Sequence, residues 1–172
     1  SDIIFARSMR AGTDSNLILE AARNIVVESG VQLDLRGGGT LEAGLRGVGD
    51  LITSAANTNI MADAGTDLRL IAAGDLNLGQ VNSEGAVLLQ AGGSDIIGGG
   101  VRANELTVKG ATSTLVQGYF GANSMTFDAG LVGTDAAPVW LSANTAAAPE
   151  LTLTAADGAR VLLTHDGHVT LR

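Results

Sequence analysis

The sequence contains no cysteine and only two prolines, Pro138 and Pro149. The first absence excludes disulfides and thiolate metal sites, and it fits a reducing cytosol and a cysteine-free exported protein equally. The second, set against 24 glycines, excludes a proline-rich linker and points to many tight turns between extended segments. Aromatic residues are scarce too, with one Trp, one Tyr and three Phe in 172 residues. The core must therefore be filled by Leu, Val, Ile and Ala, which favours a narrow, repetitive interior.

Positive charge is also in short supply. Ten basic residues face 18 acidic ones, and a net charge of −8 opposes phosphate backbones and anionic lipid surfaces. Nucleic acid is thus not an expected partner. No apolar run approaches the roughly 18 residues of a membrane-spanning helix, so no membrane insertion is predicted. Ser1-Asp2 does not open a signal peptide, and any export signal is expected outside this stretch.

What the sequence does have is a repeat. A six-residue phrase, polar-apolar-any-apolar-any-small, recurs at Asp67 to Ala72, Ala86 to Ala91, Glu105 to Gly110 and Ser124 to Ala129, each copy starting 19 residues after the last. Looser copies run from Asn16 to Ala21, Gln32 to Gly37 and Asp50 to Ala55, at steps of 16, 18 and 17, and another runs from Glu150 to Ala155. The period-two alternation within each copy, as in Leu68 and Leu70, is that of a half-buried strand whose apolar residues face inward. The closing small residue marks a crowded corner.

A second strand is predicted about eight residues further on, at Ile25 with Val27, Leu41 with Ala43, Ile60 with Ala62, Leu76 with Leu78, and near Ile96 and Leu115. Third strands are read at Val48, Val81, Val101 and Tyr119-Phe120. Strands this closely spaced leave no room for crossover helices, so equivalent strands pair in parallel with the coils above and below. The fold class is therefore all-β, a right-handed parallel β-helix (solenoid) with coils of about 16 to 19 residues. Eight or nine coils at roughly 4.8 Å each make a rod about 40 Å tall.

Residues 1–130 are read as coils, with Asp2 to Arg7 as a further rung at the start, and 131–149 as an irregular coil or insertion. Residues 150–172 are read as a final coil with a C-terminal antiparallel hairpin cap. The cap rests on Asp157-Gly158 and on Asp166-Gly167, the second lying between Val161–Thr164 and Val169–Leu171.

The stretches AGTDLRLIAAGDLNLG at 64–79, AVLLQAGGSDI at 86–96 and NLILEAARNIVVESG at 16–30 resemble filamentous haemagglutinin-like exoproteins of two-partner secretion. The resemblance covers about residues 16–130 and implies a long right-handed parallel β-helix that is secreted or held at a bacterial cell surface. It further implies export by a partner outer-membrane transporter and a part in adhesion, biofilm formation or display of a distal module. The implied partners are a host or neighbouring cell surface, matrix or glycan. The irregular stretch and the Asp-Gly tail depart from the family pattern.

His165, Asp166 and His168 flank a predicted hairpin turn and could share a metal, but no further ligand is fixed by spacing, and they also read as ordinary turn residues. Gly37 to Gly39 and Gly98 to Gly100 lack the Lys and Ser/Thr of a phosphate cradle and read as corner turns. The GGSD at 92–95 is an isolated match to a calcium-binding repeat. The outward first-strand set Ile18, Asp34, Ile52, Arg69, Leu88, Thr107, Thr126 and Thr152 shows no neighbouring acids on successive coils, so no catalytic pair is predicted. Its three threonines are too few for a flat threonine array. Its apolar members with Trp140 could form a contact surface, although Trp140 also reads as a cover for the core. No catalytic, cofactor or metal residue is assigned; the expected role is non-catalytic and adhesive, the rival a β-helical polysaccharide lyase or glycosidase.

Overall fold

The structure is a computed structural model. It describes residues 1–53, 57–142, 150–154, 161–164 and 168–171, the last three segments as backbone strands. Short alternating segments make every element extended, and twenty strands follow one another with no helix among the described residues. The chain opens with β1 (Ile3–Phe5) and β2 (Met9–Ala11), then β3 (Leu17–Ala21), β4 (Ile25–Val27) and β5 (Gln32–Leu35). Next come β6 (Gly39–Ala43), β7 (Leu51–Thr53) and β8 (Asn59–Ala62), followed by β9 (Asp67–Ala72), β10 (Leu76–Ser83), β11 (Ala86–Ala91) and β12 (Asp95–Arg102). The remainder comprises β13 (Glu105–Gly110), β14 (Leu115–Gly121), β15 (Ser124–Asp128), β16 (Leu131–Val132), β17 (Val139–Ser142), β18 (Glu150–Thr154), β19 (Val161–Thr164) and β20 (His168–Leu171).

Pairing is parallel from coil to coil, giving a β-solenoid of about seven turns with three faces. Face one is the eight-stranded sheet β3-β6-β9-β11-β13-β15-β18-β20. Faces two and three are parts of the twelve-stranded sheet. Long strands serve both: β10 pairs with β7 through Leu76 and Asn77, and with β8 through Gln80 to Ser83. The same division holds for β14, which meets β16 with its first residues and β17 with its last.

Inward residues stack in ladders. On face one Leu41, Leu70, Leu89, Val108 and Phe127 lie over one another, each essentially inaccessible. On face three the series is Leu33, Ile60, Val81, Val101, Phe120 and Leu141. Burying each Leu contributes about 1.5 to 3 kcal/mol. Phe120 and Phe127 meet edge to face at 5.5 Å, two of the few aromatics this slim interior holds.

The nineteen-residue spacing holds for β9, β11, β13 and β15, while the earlier copies need correction. Gln32–Leu35 belongs to face three, pairing with β2 and β8, and Leu51–Thr53 belongs to face two, pairing with β4 and β10. The face-one strand between β3 and β9 is Gly39–Ala43, with Leu41 over Leu19 and under Leu70. Ile60 and Ala62 likewise sit on face three. The reason is that all three faces alternate with the same period of two, so the phrase fits any of them. Correct registers give steps of 22 (Leu17 to Gly39) and 29 (Gly39 to Leu68), outside the expected 16 to 19. Counting two misplaced copies as coils also raised the expected number to eight or nine.

Val48 is no third strand; it lies in the corner between β6 and β7 and is 77% exposed. At the other end β19 pairs in parallel with β17, and β20 in parallel with β18. The expected antiparallel pairing of these two strands is thereby corrected. Each finds its neighbour in the preceding coil, which extends an existing sheet instead of starting an isolated ribbon. The turn residues behind that expectation, 157–158 and 165–167, lie outside the described residues.

One polar ladder climbs the corner between faces one and two. Asp2 accepts the backbone N–H of Asn24, Asn24 accepts that of Asp50, and Asp50 accepts that of Asp75. Asp75 then accepts from the N–H groups of Ser94 and Asp95 at 2.7 and 3.0 Å. Backbone donors that miss the sheet at the corner are thus satisfied. The carboxyl of Asp2 is held below the ordinary carboxylate value, first by the Asn24 N–H and then, against some desolvation, by Arg23. Its contribution is therefore present above the unfolded pKa and lost as pH falls through the lowered one. Replacing Asp75 by Ala is expected to cost about 1 to 3 kcal/mol in urea denaturation, because two donors lose their acceptor. Asp75→Asn, which keeps an acceptor as Asn24 does, is expected to retain most of that stability.

Candidate functional site

On face three, inward Val139, Leu141 and Phe120 force their neighbours outward, and so Tyr119 and Trp140 occupy partner positions on adjacent rungs. They are 57% and 43% exposed. Their ring centroids are 5.9 Å apart and their planes within 13°, an offset stack that covers one face of Tyr119 with Trp140.

The rung on the other side of Tyr119 carries no side chain. The register between β12 and β14 passes from Gly98 opposite Gly118 to Val101 opposite Phe120, which sets two residues, Gly99 and Gly100, against Tyr119 alone. This bulge is also where β12 bends from face two to face three, so Gly98 to Gly100 do make a corner, but as a bend within a continuous strand and not as a separate turn. Gly98 leaves room for the ring of Phe120, whose Cζ would lie 2.6 Å from a Cβ there. At Gly99 a Cβ would crowd the Leu78 carbonyl oxygen at 2.8 Å, whereas at Gly100 it would meet only the Gln80 amide, at 3.7 Å.

The result is a cleft of about 520 Å³, in which Tyr119 and Trp140 lie on one side of the gap, Gln80 on the other, and Arg102 and Ser142 at the flank. Arg102 is the only charged residue lining it and has no ion pair among the described residues. Trp140 is therefore part of an outward platform and does not cover the core. Sequence reading named Tyr119 and Trp140 separately and missed Gln80 and Arg102. The missed signal was a pair of glycines followed, after one apolar residue, by arginine.

The other expected site residues do not assemble. Ile18 and Leu88 are three rungs apart on face one, separated by Thr40 and Arg69, while Ile52 lies on face two and Asp34 on face three. The apolar set is thus no single patch. Asp34 is bracketed by Arg10 and Arg36 at 3.0 and 3.2 Å. Thr107, Thr126 and Thr152 do share one ladder by register, above Arg69 and Leu88. Outside that set, two acids neighbour each other on successive coils, since Glu20 pairs with Glu42. The GGSD segment spends its Ser94 and Asp95 N–H groups on Asp75. His165 and Asp166 lie outside the described residues, as does the side chain of His168. Among the described residues no group of three or more His, Cys, Asp or Glu is placed to hold a metal, and no helix is long and apolar enough to cross a membrane. No protein-family model, curated protein or solved structure matches the chain.

Proposed function

We propose that this chain is a non-catalytic, adhesive segment of an exported bacterial surface protein, similar to the shafts of filamentous haemagglutinin-like exoproteins. In this reading a two-partner outer-membrane transporter exports the parent protein, which then acts in adhesion, biofilm formation or display of a distal module. Its partner is a host or neighbouring cell surface, matrix or glycan. The observation that carries the reading is the stack of parallel coils, whose outward positions form continuous faces suited to contact along a rod.

Beads coated with the purified chain are expected to adhere to epithelial cells or to matrix and glycan surfaces, above beads coated with albumin. Incubation with acidic and neutral polysaccharides is expected to release no reducing ends or unsaturated sugars. Turnover that disappears on Glu20→Gln or Glu42→Gln would replace the adhesive reading by that of a polysaccharide-active enzyme, because these paired carboxylates are the arrangement such chemistry needs.

A further inference from the structure

We infer that the cleft beside Tyr119 binds a pyranose ring bearing a carboxylate, that is, a unit of an acidic glycan; the inference deepens the adhesive reading and rests on it. The outward ladder on face three runs Gln80, the Gly99-Gly100 bulge, Tyr119, Trp140. One rung of side chains is missing from this series. With rungs spaced by roughly 4.8 Å, the strands of Gln80 and Tyr119 stand about 9.6 Å apart, and a flat ring seated midway lies in stacking range of both. One wall of that slot is the uncovered face of Tyr119, whose other face is stacked on Trp140.

Close packing does not demand the opening at Gly100, since its nearest neighbours to an added Cβ are the Gln80 amide atoms at 3.7 Å. The slot is space the bulge creates, with an aromatic wall. A sugar presents C–H groups to such a wall and hydroxyls to its rim, where the Gln80 amide stands. Arg102 fixes the charge of the occupant. It is exposed and, among the described residues, the sole charged residue of the lining, in a chain of net charge −8. A carboxylate satisfies its planar, two-pronged donor geometry.

Trp140 is the only tryptophan in the chain, so its fluorescence reports on this cleft without a label. The intact chain is titrated with trigalacturonic acid, with sialyllactose and with neutral maltotriose. A saturable emission change is expected with at least one acidic sugar, and a binding constant at least about tenfold weaker with the neutral one, the difference expected for a charge-assisted hydrogen bond. Arg102→Gln is expected to erase that preference, and Tyr119→Ala to abolish binding, as followed by calorimetry in case the mutation alters the emission itself. Both positions are exposed, so unchanged melting temperatures are expected and serve as the folding control.

No heat or emission change with any of the three sugars overturns the inference, as does binding that survives Tyr119→Ala. Equal affinity for acidic and neutral sugars overturns the assignment of the carboxylate. Cell adherence measured on the same proteins separates the two readings. Adherence without sugar binding removes the cleft and leaves the rod adhesive, whereas absence of both removes both.

Discussion

Truncation of Leu70 to Ala is expected to lower the free energy of unfolding by about 2 to 5 kcal/mol. Leu70 is fully buried and lies between Leu41 and Leu89, so the lost methyl groups leave a gap with ladder neighbours above and below. Little can collapse into it, because the backbone on either side is fixed by sheet hydrogen bonds to both adjacent coils. The same truncation at Leu19, which is half-buried at the start of that ladder, is expected to cost less. Guanidinium denaturation of the two variants checks the order. Equal losses, or none at Leu70, would contradict a core built of stacked rungs.

The second large effect is expected at Gly118. Its φ of +107° lies where only glycine is comfortable, and a Cβ there would overlap the carbonyl oxygen of Gly98 on the neighbouring coil, with the Gly98 N only 3.0 Å away. Gly118→Ala therefore adds a backbone clash to the about 1 to 3 kcal/mol of conformational strain, and it strikes the pairing of β12 with β14. Gly47 supplies the comparison: its φ is +89°, but nothing lies within 4 Å of an added Cβ. Gly47→Ala is expected to show the strain alone. A melting-temperature loss clearly greater at Gly118 than at Gly47 is the predicted result, and hydrogen exchange is expected to place the extra opening at Gly98 and Gly118.

Legibility in the sequence followed the regularity of the coils. From β9 to β15 the corners are short and of nearly constant length, so Leu70, Leu89, Val108 and Phe127 could be placed over one another by counting nineteen. Between β3 and β9 counting failed, because residues 44–50 widen one corner and because the strands of all three faces share one alternation. Hydrogen-bonded pairing tells the faces apart, and that information is long-range. The corner ladder was readable in part: Asp2, Asn24, Asp50 and Asp75 each stand directly before an apolar strand.

The cleft was hidden for a related reason. A constant step of nineteen puts Pro138 over Tyr119, whereas the six residues between β16 and β17 bring Trp140 there. Both aromatic residues were visible as types, but their stacking depends on an insertion whose length has no local signature. The glycine bulge was equally opaque, since three glycines in a row also read as a turn.

The corner between faces one and two takes three residues after β3, seven after β6 and two after β15, while the sheets on either side keep their register. Length at this vertex is thus uncoupled from the stacking of the rod. A foreign peptide spliced between Arg46 and Gly47, both exposed, would project sideways at a fixed height, which makes this scaffold a ruler on which grafted epitopes can be spaced in whole-rung increments.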